Sequence, residues 1–515
     1  MFPGLTQGLR RAAQLKAGEV AVSDQQRCRT WQRLIERISR LAGGFRELGL
    51  QQNDRVAYLA YNDHRSLEVF YAALWAGGII APLNTRLNAG DLNALLEIIA
   101  PRLIVAGPEF AELAKKLNVP VAVPISQGQA QGAGHYEAII RATAPIADER
   151  RCGDDVACLF FTGGTTGPPK AVMLTHDNIM ANTMNFISHT GIDEDTAHLH
   201  CGPLYHVAAA VRLFSVTQAA GRHVMLPRFD ADQVIKAIDR EQVTLATVVP
   251  TMLQAIVERM EDSNSAMDSL RMITYGAAPM PAALLRRAMD RLPQVAFVQS
   301  YGMTETAPIA TLLGAKAHRD GDRGKLRSAG RAALLTEVAI VDENGQALPP
   351  LRTGEIVVKG PNVMLGYWRN PEATQAAIKD GWMRTGDAGY LDQAGYLFVV
   401  DRLKDVIISG GENIHSQEIE NVIAEMAGVR GCAVIGIPDD QWGERVHAVV
   451  VPDKGEAAIT ETGVIDHCRR RLASYKCPKS VTLRRQPLPL SAANKVLKPQ
   501  LKQEIIESTG RGGQE

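Results

Sequence analysis

The chain lacks the features of a membrane-spanning or disulfide-rich protein. No apolar run approaches the roughly 20 residues that a transmembrane helix needs, and the first residues contain no apolar signal-peptide core. The seven cysteines are odd in number and show neither CxxC pairs nor metal-ligand spacing. We therefore expect a reducing, cytoplasmic location, no transmembrane segment and no cysteine-based metal site.

An excess of charge of either sign is also missing. Lysine and arginine number 56, as do aspartate and glutamate, so the formal net charge is zero. Because proteins that bind nucleic acid usually carry a basic patch, we expect no nucleic-acid partner. Hydrophobic residues make up 46% of the 515 residues and charged residues 22%, which is typical of a globular protein with large cores.

Helical and strand-like patterns alternate along most of the first 300 residues. The pattern predicts helices at 31–50, 68–76, 232–241 and 281–291, and strands at 55–59, 78–83, 244–249 and 295–299. Such alternation indicates βαβ units with mainly parallel sheets. We therefore expect an α/β fold with two doubly wound subdomains side by side.

The pattern changes after about residue 325. Strands predicted at 337–341 and 355–358 are separated by Asp- and Gly-rich turns, which indicates a small antiparallel, β-barrel-like subdomain. Beyond Lys404 we predict helices at 414–426 and 465–472 and strands at 432–437 and 447–451. This divides the chain into a large N-terminal domain, residues 1–403, and a small α+β C-terminal domain, residues 404–515.

The segment from Phe161 to Lys170, FTGGTTGPPK, follows an apolar run at 156–160 that predicts a buried strand. Its glycines let the backbone approach a ligand closely, and its threonines and lysine add hydroxyls and a positive charge. Such clustered donors suit a polyphosphate. The segment is not a Walker A loop, because Pro-Pro precedes the lysine and Ala171 follows it.

Seven further motifs follow the phosphate loop at intervals consistent with one active site. They are YH at 205–206, YGAAP at 275–279, YGMTE at 301–305, TGD at 385–387, DRLKD at 401–405, SGGEN at 409–413 and NKVLK at 494–498. Each alone has an ordinary structural explanation, such as a helix cap for Asp387 or surface charge for Lys495. Their order along the chain indicates a shared function.

With these motifs the chain resembles the adenylate-forming superfamily over nearly its whole length, and in particular the short acyl-CoA ligases and the chlorobenzoate-type aryl-CoA ligases. The resemblance implies ATP, Mg²⁺, coenzyme A and a small carboxylic acid as cofactor and substrates. The acid would attack the α-phosphate of ATP, giving acyl-AMP and pyrophosphate, and the thiolate of coenzyme A would then expel AMP. A homodimer is compatible with it.

The resemblance also assigns roles around the nucleotide. Glu305 and Thr166 would hold Mg²⁺, Thr304 would contact the α-phosphate, and Tyr301 would stack on adenine. Asp387 would accept hydrogen bonds from the ribose hydroxyls, since an ionised carboxylate is an acceptor only. The other members of this predicted ATP and AMP site are Thr162, Gly163, Gly164, Thr165, Gly167, Lys170, Gly276, Ala277, Ala278, Gly302, Arg402 and Lys495.

By the same resemblance Lys495 is the catalytic lysine, because a compact, mobile charge suits the α-phosphate and the incoming carboxylate. Lys404 occupies the hinge position about which the C-terminal domain would rotate between the half-reactions. The predicted coenzyme A site consists of Ser409, Gly410, Gly411, Glu412, Trp442 and Tyr475.

The acyl pocket would begin at His206, the aromatic gate residue of the matching motif. Its remaining predicted walls are Val207, Ala208, Ala209, Ser300, Met303 and Pro308. These residues are small or apolar and include no arginine or lysine. We therefore expect an uncharged acyl or aryl group, either a fatty or an aromatic acid, and disfavour dicarboxylic acids.

Four positions depart from the family pattern. They are Gly163, where serine is more usual, Ala171 and Asn494, where glycine is more usual, and Cys477, where some aryl-CoA ligases have an arginine. Two alternatives stay open beside the acid–CoA ligase. One transfers the acyl group to the pantetheine of a carrier protein, and the other is a nucleotide-binding sensor without catalysis.

Overall fold

A computed structural model describes residues 2–125, 134–162, 169–261, 265–322, 324–410, 412–439, 441–453, 459–489 and 496–511. In the first third of the chain the elements are α1 Thr6–Leu15, β1 Val20–Ser23, β2 Cys28–Thr30, α2 Trp31–Glu47, β3 Arg55–Leu59, α3 His64–Trp75, β4 Ile79–Pro82, α4 Ala89–Ile99, β5 Leu103–Ala106, α5 Ala111–Ala114, β6 Val121–Pro124, α6 Tyr136–Ala142 and β7 Val156–Thr162.

The second stretch contains β8 Lys170–Thr175, α7 His176–Thr190, β9 Ala197–His200, α8 Val207–Ala219, β10 Arg222–Met225, α9 Ala231–Glu241, β11 Leu245–Val248, α10 Pro250–Glu261, β12 Met272–Gly276, α11 Ala282–Arg291, β13 Ala296–Tyr301, β14 Thr311–Leu313, α12 Ala315–Arg319 and β15 Arg331–Ala332.

The remainder contains β16 Glu337–Val341, β17 Gly354–Lys359, β18 Gly366–Tyr367, α13 Pro371–Ala377, β19 Ile378–Lys379, β20 Trp382–Leu391, β21 Leu397–Arg402, β22 Ile407–Ser409, β23 Glu412–Ile414, α14 Ser416–Ile423, β24 Val429–Asp439, β25 Gly443–Pro452, α15 Glu461–Arg469, β26 Ser480–Leu483 and α16 Lys498–Arg511.

Two mainly parallel sheets confirm the predicted pair of α/β subdomains. One sheet has the order β18-β8-β7-β4-β3-β5-β6, and the other has the order β15-β14-β13-β12-β11-β9-β10-β1-β2. Helices α2, α3, α7 and α8 contribute to one hydrophobic core that also contains residues of both sheets, such as Val56 and Met225. The two subdomains therefore share a core, and the ends of their strands can contribute to one site.

Strands β16, β17, β19, β20 and β21 form the small antiparallel sheet that the turns after residue 325 predict. The C-terminal segment forms a fourth sheet, β23-β22-β25-β24 with β26 beside β25, over a core of its own. Among the described residues, no helix combines the length and apolarity that crossing a membrane requires.

The predicted helix at 414–426 is wrong at both ends. Ile414 ends strand β23, and the helix runs only from Ser416 to Ile423. The apolar spacing misleads because Ile414, Ile419 and Ile423 all face the same core although Ile414 belongs to a strand. The helix begins at Ser416 because Asp401, in β21, accepts hydrogen bonds from the backbone N–H and the hydroxyl of Ser416.

Candidate active site

The two described ends of the predicted phosphate loop lie side by side. Thr162 ends β7, Lys170 begins β8, and the two residues are partners in an antiparallel pair. Gly163, Gly164, Thr165, Thr166 and Gly167 lie outside the described residues. The described part of the segment thus consists of Phe161, Thr162, Pro169 and Lys170, with the polar side chains of Thr162 and Lys170 on paired strand ends.

Lys170 and Glu305 are connected through a third residue, Tyr367. The ammonium nitrogen of Lys170 lies 4.9 Å from the centre of the Tyr367 ring, which is a cation–π distance. The hydroxyl of Tyr367 donates a hydrogen bond of 2.9 Å to Oε1 of Glu305. Burial and the Glu305 charge both raise the pKa of Tyr367, so its hydroxyl stays protonated and can donate.

Sequence reasoning missed Tyr367, because it stands 62 residues from Glu305 along the chain. Tyr367 belongs to β18, and the pairing of β18 with β8, in which Tyr367 lies opposite Val172, places it beside Glu305. A Gly-Tyr dipeptide carries no phosphate-binding signature, and only the sheet pairing connects it with the site.

Glu305 is held on a short helical turn at Thr304–Thr306, immediately after β13. The side-chain amide of Asn362 donates to the carbonyls of Thr306 and Ile309, at 3.1 and 2.8 Å, and so fixes the loop around this turn. Glu305 is only 5% exposed, and Thr304 beside it is half-buried. The turn therefore carries a carboxylate and a hydroxyl on neighbouring residues.

Glu305 also suits the Mg²⁺ that the resemblance implies. Mg²⁺ prefers oxygen ligands and is commonly bound by one or two carboxylates together with substrate phosphates. Within the described ranges no group of three His, Cys, Asp or Glu side chains could hold a metal. The buried carboxylate of Glu305 is thus a suitable oxygen ligand for Mg²⁺.

Asp387 connects the small antiparallel sheet with β13. Its Oδ2 accepts a hydrogen bond of 2.7 Å from the hydroxyl of Tyr301, and its Oδ1 lies 3.1 Å from Nε of Arg402. Asp387 and Arg402 are partners on β20 and β21. An ionised carboxylate has about four acceptor positions, so Asp387 can hold these two neighbours and still accept from ribose hydroxyls.

The predicted adenine site lies at the carboxyl ends of β12 and β13. Gly276 is the partner of Ser300, which precedes Tyr301, and Ala277 and Ala278 are exposed. A Cβ atom at Gly302, whose φ is +155°, would lie 2.8 Å from the hydroxyl oxygen of Thr306. Only glycine fits at that position, where the chain turns from the adenine side towards Glu305.

The predicted acyl wall is assembled from α8 and the segment after β13. His206 is the residue that precedes α8, and its ring lies 4.6 Å from that of Tyr205, centre to centre. Val207 belongs to the large core, and Ala209 and Met303 pack against that same core from partly exposed positions. Ala208, Ser300 and Pro308 are half-buried as well.

In the C-terminal segment four predicted coenzyme A residues lie together. Ser409 and Glu412 are partners across the β22–β23 turn. The N–H of Gly410 donates to the carbonyl of Trp442 at 2.8 Å, and a Cβ at Gly410 would lie 2.7 Å from the Trp442 ring. Tyr475 lies on a separate turn that follows α15.

Three predicted functional residues of this part remain to be placed. Lys404, the predicted hinge, lies in the short turn Leu403–Asp405 between β21 and β22. Gly411 and the predicted catalytic Lys495 lie outside the described residues.

Known proteins resemble this chain along nearly its whole length. A family model described as "AMP-binding enzyme" matches residues 9–368, and one described as "AMP-binding enzyme C-terminal domain" matches residues 418–495. A feruloyl-CoA synthase from an Amycolatopsis species is 40% identical over 96% of this chain and 98% of its own. An indoleacetate–CoA ligase from Aromatoleum aromaticum is 36% identical over 98% of this chain and 99% of its own.

A solved structure agrees with these relatives. The o-succinylbenzoate CoA synthetase of Bacillus subtilis, in complex with its acyl-adenylate intermediate, superposes with a TM-score of 0.86. It is 31% identical, and the match covers 97% of this chain and 98% of that one. The two-part division into a large and a small unit is therefore common to the sequence and the structural matches.

Proposed function

The chain belongs to the AMP-binding enzyme family and is an AMP-forming acid–CoA ligase, and we propose that its substrate is an aromatic carboxylic acid. One arrangement carries the nucleotide half of this proposal. The five residues from Tyr301 to Glu305 place Tyr301 against Asp387 at one end and Glu305 against Tyr367 at the other. This segment can reach from the adenine and ribose side of ATP to its phosphates.

The mechanism needs no covalent intermediate on the enzyme. The carboxylate oxygen of the acid attacks the α-phosphorus and pyrophosphate leaves; the sulfur of coenzyme A then attacks the acyl carbon and AMP leaves. Catalysis is therefore a matter of positioning and of stabilising developing charge. Mg²⁺ held at Glu305 would neutralise charge on the phosphate oxygens.

The chain's own side chains would orient the nucleotide. Tyr301 would stack on the adenine, next to the exposed edge at Gly276, Ala277 and Ala278. Asp387 and Arg402 would fix the ribose, Thr304 would contact the α-phosphate, and Lys170 would contact the outer phosphates. Buried neighbours hold Asp387 and Glu305 before ATP binds, so little reorganisation is needed on binding.

We assign the second half-reaction to the segment after Lys404. Ser409, Gly410, Glu412 and Trp442 would border the passage for the pantetheine arm, and Lys495 would serve the first half-reaction. The positions where the two family models end and begin, 368 and 418, lie on either side of Lys404 and support a domain boundary near it.

Two observations favour an aromatic acid over a fatty acid. The wall residues Ala208 and Ala209 are half-buried and small, so their side chains would not obstruct a flat ring. The 40% and 36% identical relatives are named for ferulate and indoleacetate, which are both aromatic acids.

The test is pyrophosphate release with ATP, Mg²⁺ and coenzyme A, with mass spectrometry of the thioester. The acids are benzoates, hydroxycinnamates, indoleacetate and fatty acids of increasing length, and Asp387→Asn is the inactive control. Thioesters from aromatic acids alone support the proposal, whereas a preference for fatty acids overturns it. Pyrophosphate without thioester would favour the carrier-protein alternative, and no pyrophosphate with any acid would favour the sensor.

A further inference from the structure

Arg212 is a buried cation for which the described part of the chain shows no ion pair. It lies on α8, four residues after Ala208 and three after Ala209, and so on the same side of the helix as these two wall residues. Its guanidinium carbon lies 3.6 Å from the centre of the Phe186 ring, and the residue is only 3% exposed. Among the described residues its Nε and Nη1 atoms have no hydrogen-bond partner.

This arrangement is unusual because a buried charge is expensive unless it is paired. The chain contains a contrasting case in Arg37, which is buried too and is bonded to Glu68 and Glu137. Burial lowers the pKa of Arg212 to about 9, so the side chain still carries its charge at neutral pH. Two donors of this charged group therefore have no acceptor among the described residues.

The surroundings of Arg212 are polar and uncharged. Burial lowers the pKa of the His198 and His200 rings, and the nearby charge of Arg212 lowers both pKa values further. Nε2 of His198 is 3.0 Å from the hydroxyl of Thr247, which is 2.8 Å from the hydroxyl of Thr274. These side chains, with Arg212, are called here the polar floor.

The polar floor reaches the acyl wall at Thr247. This residue is half-buried, whereas its neighbours Ala246 and Val248 are buried. In the second sheet β11 lies between β12 and β9 and runs parallel to both, so its carboxyl end is at the same edge of the sheet as Gly276. The segment that follows β9 leads to His206. The open side of Thr247 therefore belongs to the region where the acid would bind.

We propose that Arg212 forms the deep end of the acid pocket and donates hydrogen bonds to an oxygen at the end of the substrate opposite its carboxylate. The inference rests on the proposed function and narrows the acid to an aromatic one with a distal phenol, methoxy, carbonyl or carboxylate oxygen. Arg212 is five residues from Val207, about 7.5 Å along the helix, which suits an aromatic ring joined to its carboxylate by a short linker.

The proposal differs from one expectation that the sequence motifs give. No basic residue occurs among the wall positions that the motifs indicate, and a second carboxylate was therefore disfavoured. Arg212 lies one helical turn beyond those positions, where the motif gives no information. A distal carboxylate accordingly belongs among the acids to be tested.

The experiment compares cinnamate with 4-methoxy-, 4-hydroxy- and 4-carboxycinnamate by kcat/KM of thioester formation. The enzymes are the wild type, Arg212→Met and Arg212→Lys. For the wild type we expect roughly 10- to 100-fold higher kcat/KM with at least one oxygen-bearing acid than with cinnamate, the range of a hydrogen bond to a charged group. Arg212→Met should lose that preference and keep kcat/KM for cinnamate within about threefold of the wild type.

Ser215→Ala is the matched control, because Ser215 lies on the same helix and is fully buried, but its hydroxyl bonds the Thr183 hydroxyl and the Val211 carbonyl instead of the polar floor. It should leave the order of acids unchanged. A wild type without preference, or an Arg212→Met enzyme that slows equally with all four acids, overturns the inference. If Arg212→Met does not fold, Arg212→Lys decides, since loss of the planar fork should still reduce the preference.

Failure of the proposed function gives a different result. If no aromatic acid is used but fatty acids are, the aromatic class is wrong. Decanoate and 10-hydroxydecanoate then replace the cinnamates, and a wild-type preference for the hydroxy acid that disappears in Arg212→Met supports the polar floor. An equal kcat/KM for the two fatty acids overturns it.

Discussion

At the Glu305 carboxylate, the hydroxyl of Tyr367 supplies a hydrogen bond. Tyr367 also contacts Lys170 through its ring, so one side chain sets the positions of both predicted phosphate-side groups. Tyr367→Phe keeps the ring and removes only the donor. Because a hydrogen bond to a charged group contributes about 1.5–3 kcal/mol, we expect the Mg²⁺ concentration for half-maximal pyrophosphate release to rise about tenfold or more.

The control for that prediction is Tyr390→Phe. Tyr390 belongs to the small antiparallel sheet, where its ring stacks on Phe398 at 4.9 Å, and its change should leave the Mg²⁺ dependence as in the wild type. If Tyr367→Phe titrates with Mg²⁺ like Tyr390→Phe, Tyr367 does not position Glu305. In Tyr367→Phe, the ATP concentration for half-maximal activity, measured at saturating Mg²⁺, should rise by a smaller factor than the Mg²⁺ concentration for half-maximal activity.

Among the helices and strands, the sequence pattern correctly predicts those whose bounds depend on residues nearby in the chain. Strand β16 occupies 337–341 as expected, because alternation and turn residues determine it within a few positions. Helix α14 was misplaced because Asp401, 15 residues earlier in β21, selects where it begins. Tyr367 and Arg212 were missed for a related reason, since sheet pairing and burial, not motif spacing, give them their neighbours.

A buried cluster of one arginine and two glutamates connects three helices of the first subdomain. Arg37 of α2 binds both oxygens of Glu68 in α3, at 2.7 and 2.9 Å, and also binds Glu137 of α6. Burial alone would lower the pKa of Arg37, but the charge and hydrogen bonds of Glu68 raise this pKa above its usual value. Glu68→Gln removes the fully buried partner and leaves Arg37 paired with Glu137, which is partly exposed, so the free energy of unfolding should fall by about 3 kcal/mol, the lower end for breaking a buried pair.

Urea denaturation followed by circular dichroism measures this loss. The control is Glu36→Gln on the same helix as Arg37, because its ion pair with Arg33 is largely exposed and should change stability by less than about 1 kcal/mol. A Glu68→Gln enzyme that unfolds at the control's midpoint would show that Glu137 alone compensates Arg37. The double change Arg37→Met with Glu68→Leu removes both charges of this contact and should recover part of the lost stability, because Glu137 and the hydroxyl of Tyr136 then each lose a partner.

For the molecule as a whole, the open question is how one site serves two reactions. The proposed nucleotide-binding residues Glu305, Asp387 and Tyr301 belong to the large unit, and the Gly410–Trp442 contact belongs to the small one. Only the turn Leu403–Asp405 separates β21 from β22. A rotation of the small unit about this turn would exchange the surface that it presents to the bound acyl-AMP.

Lys404→Pro tests that rotation, because proline fixes φ near −65° and removes the freedom that a hinge residue needs. We expect thioester formation from acyl-AMP to slow at least tenfold and pyrophosphate formation to stay within about threefold of the wild type. Rapid-quench measurements of each half-reaction separate the two rates. Lys404→Ala removes the same side chain but keeps backbone freedom, so it should retain both rates; a proline enzyme that loses both half-reactions equally would contradict a hinge at Lys404.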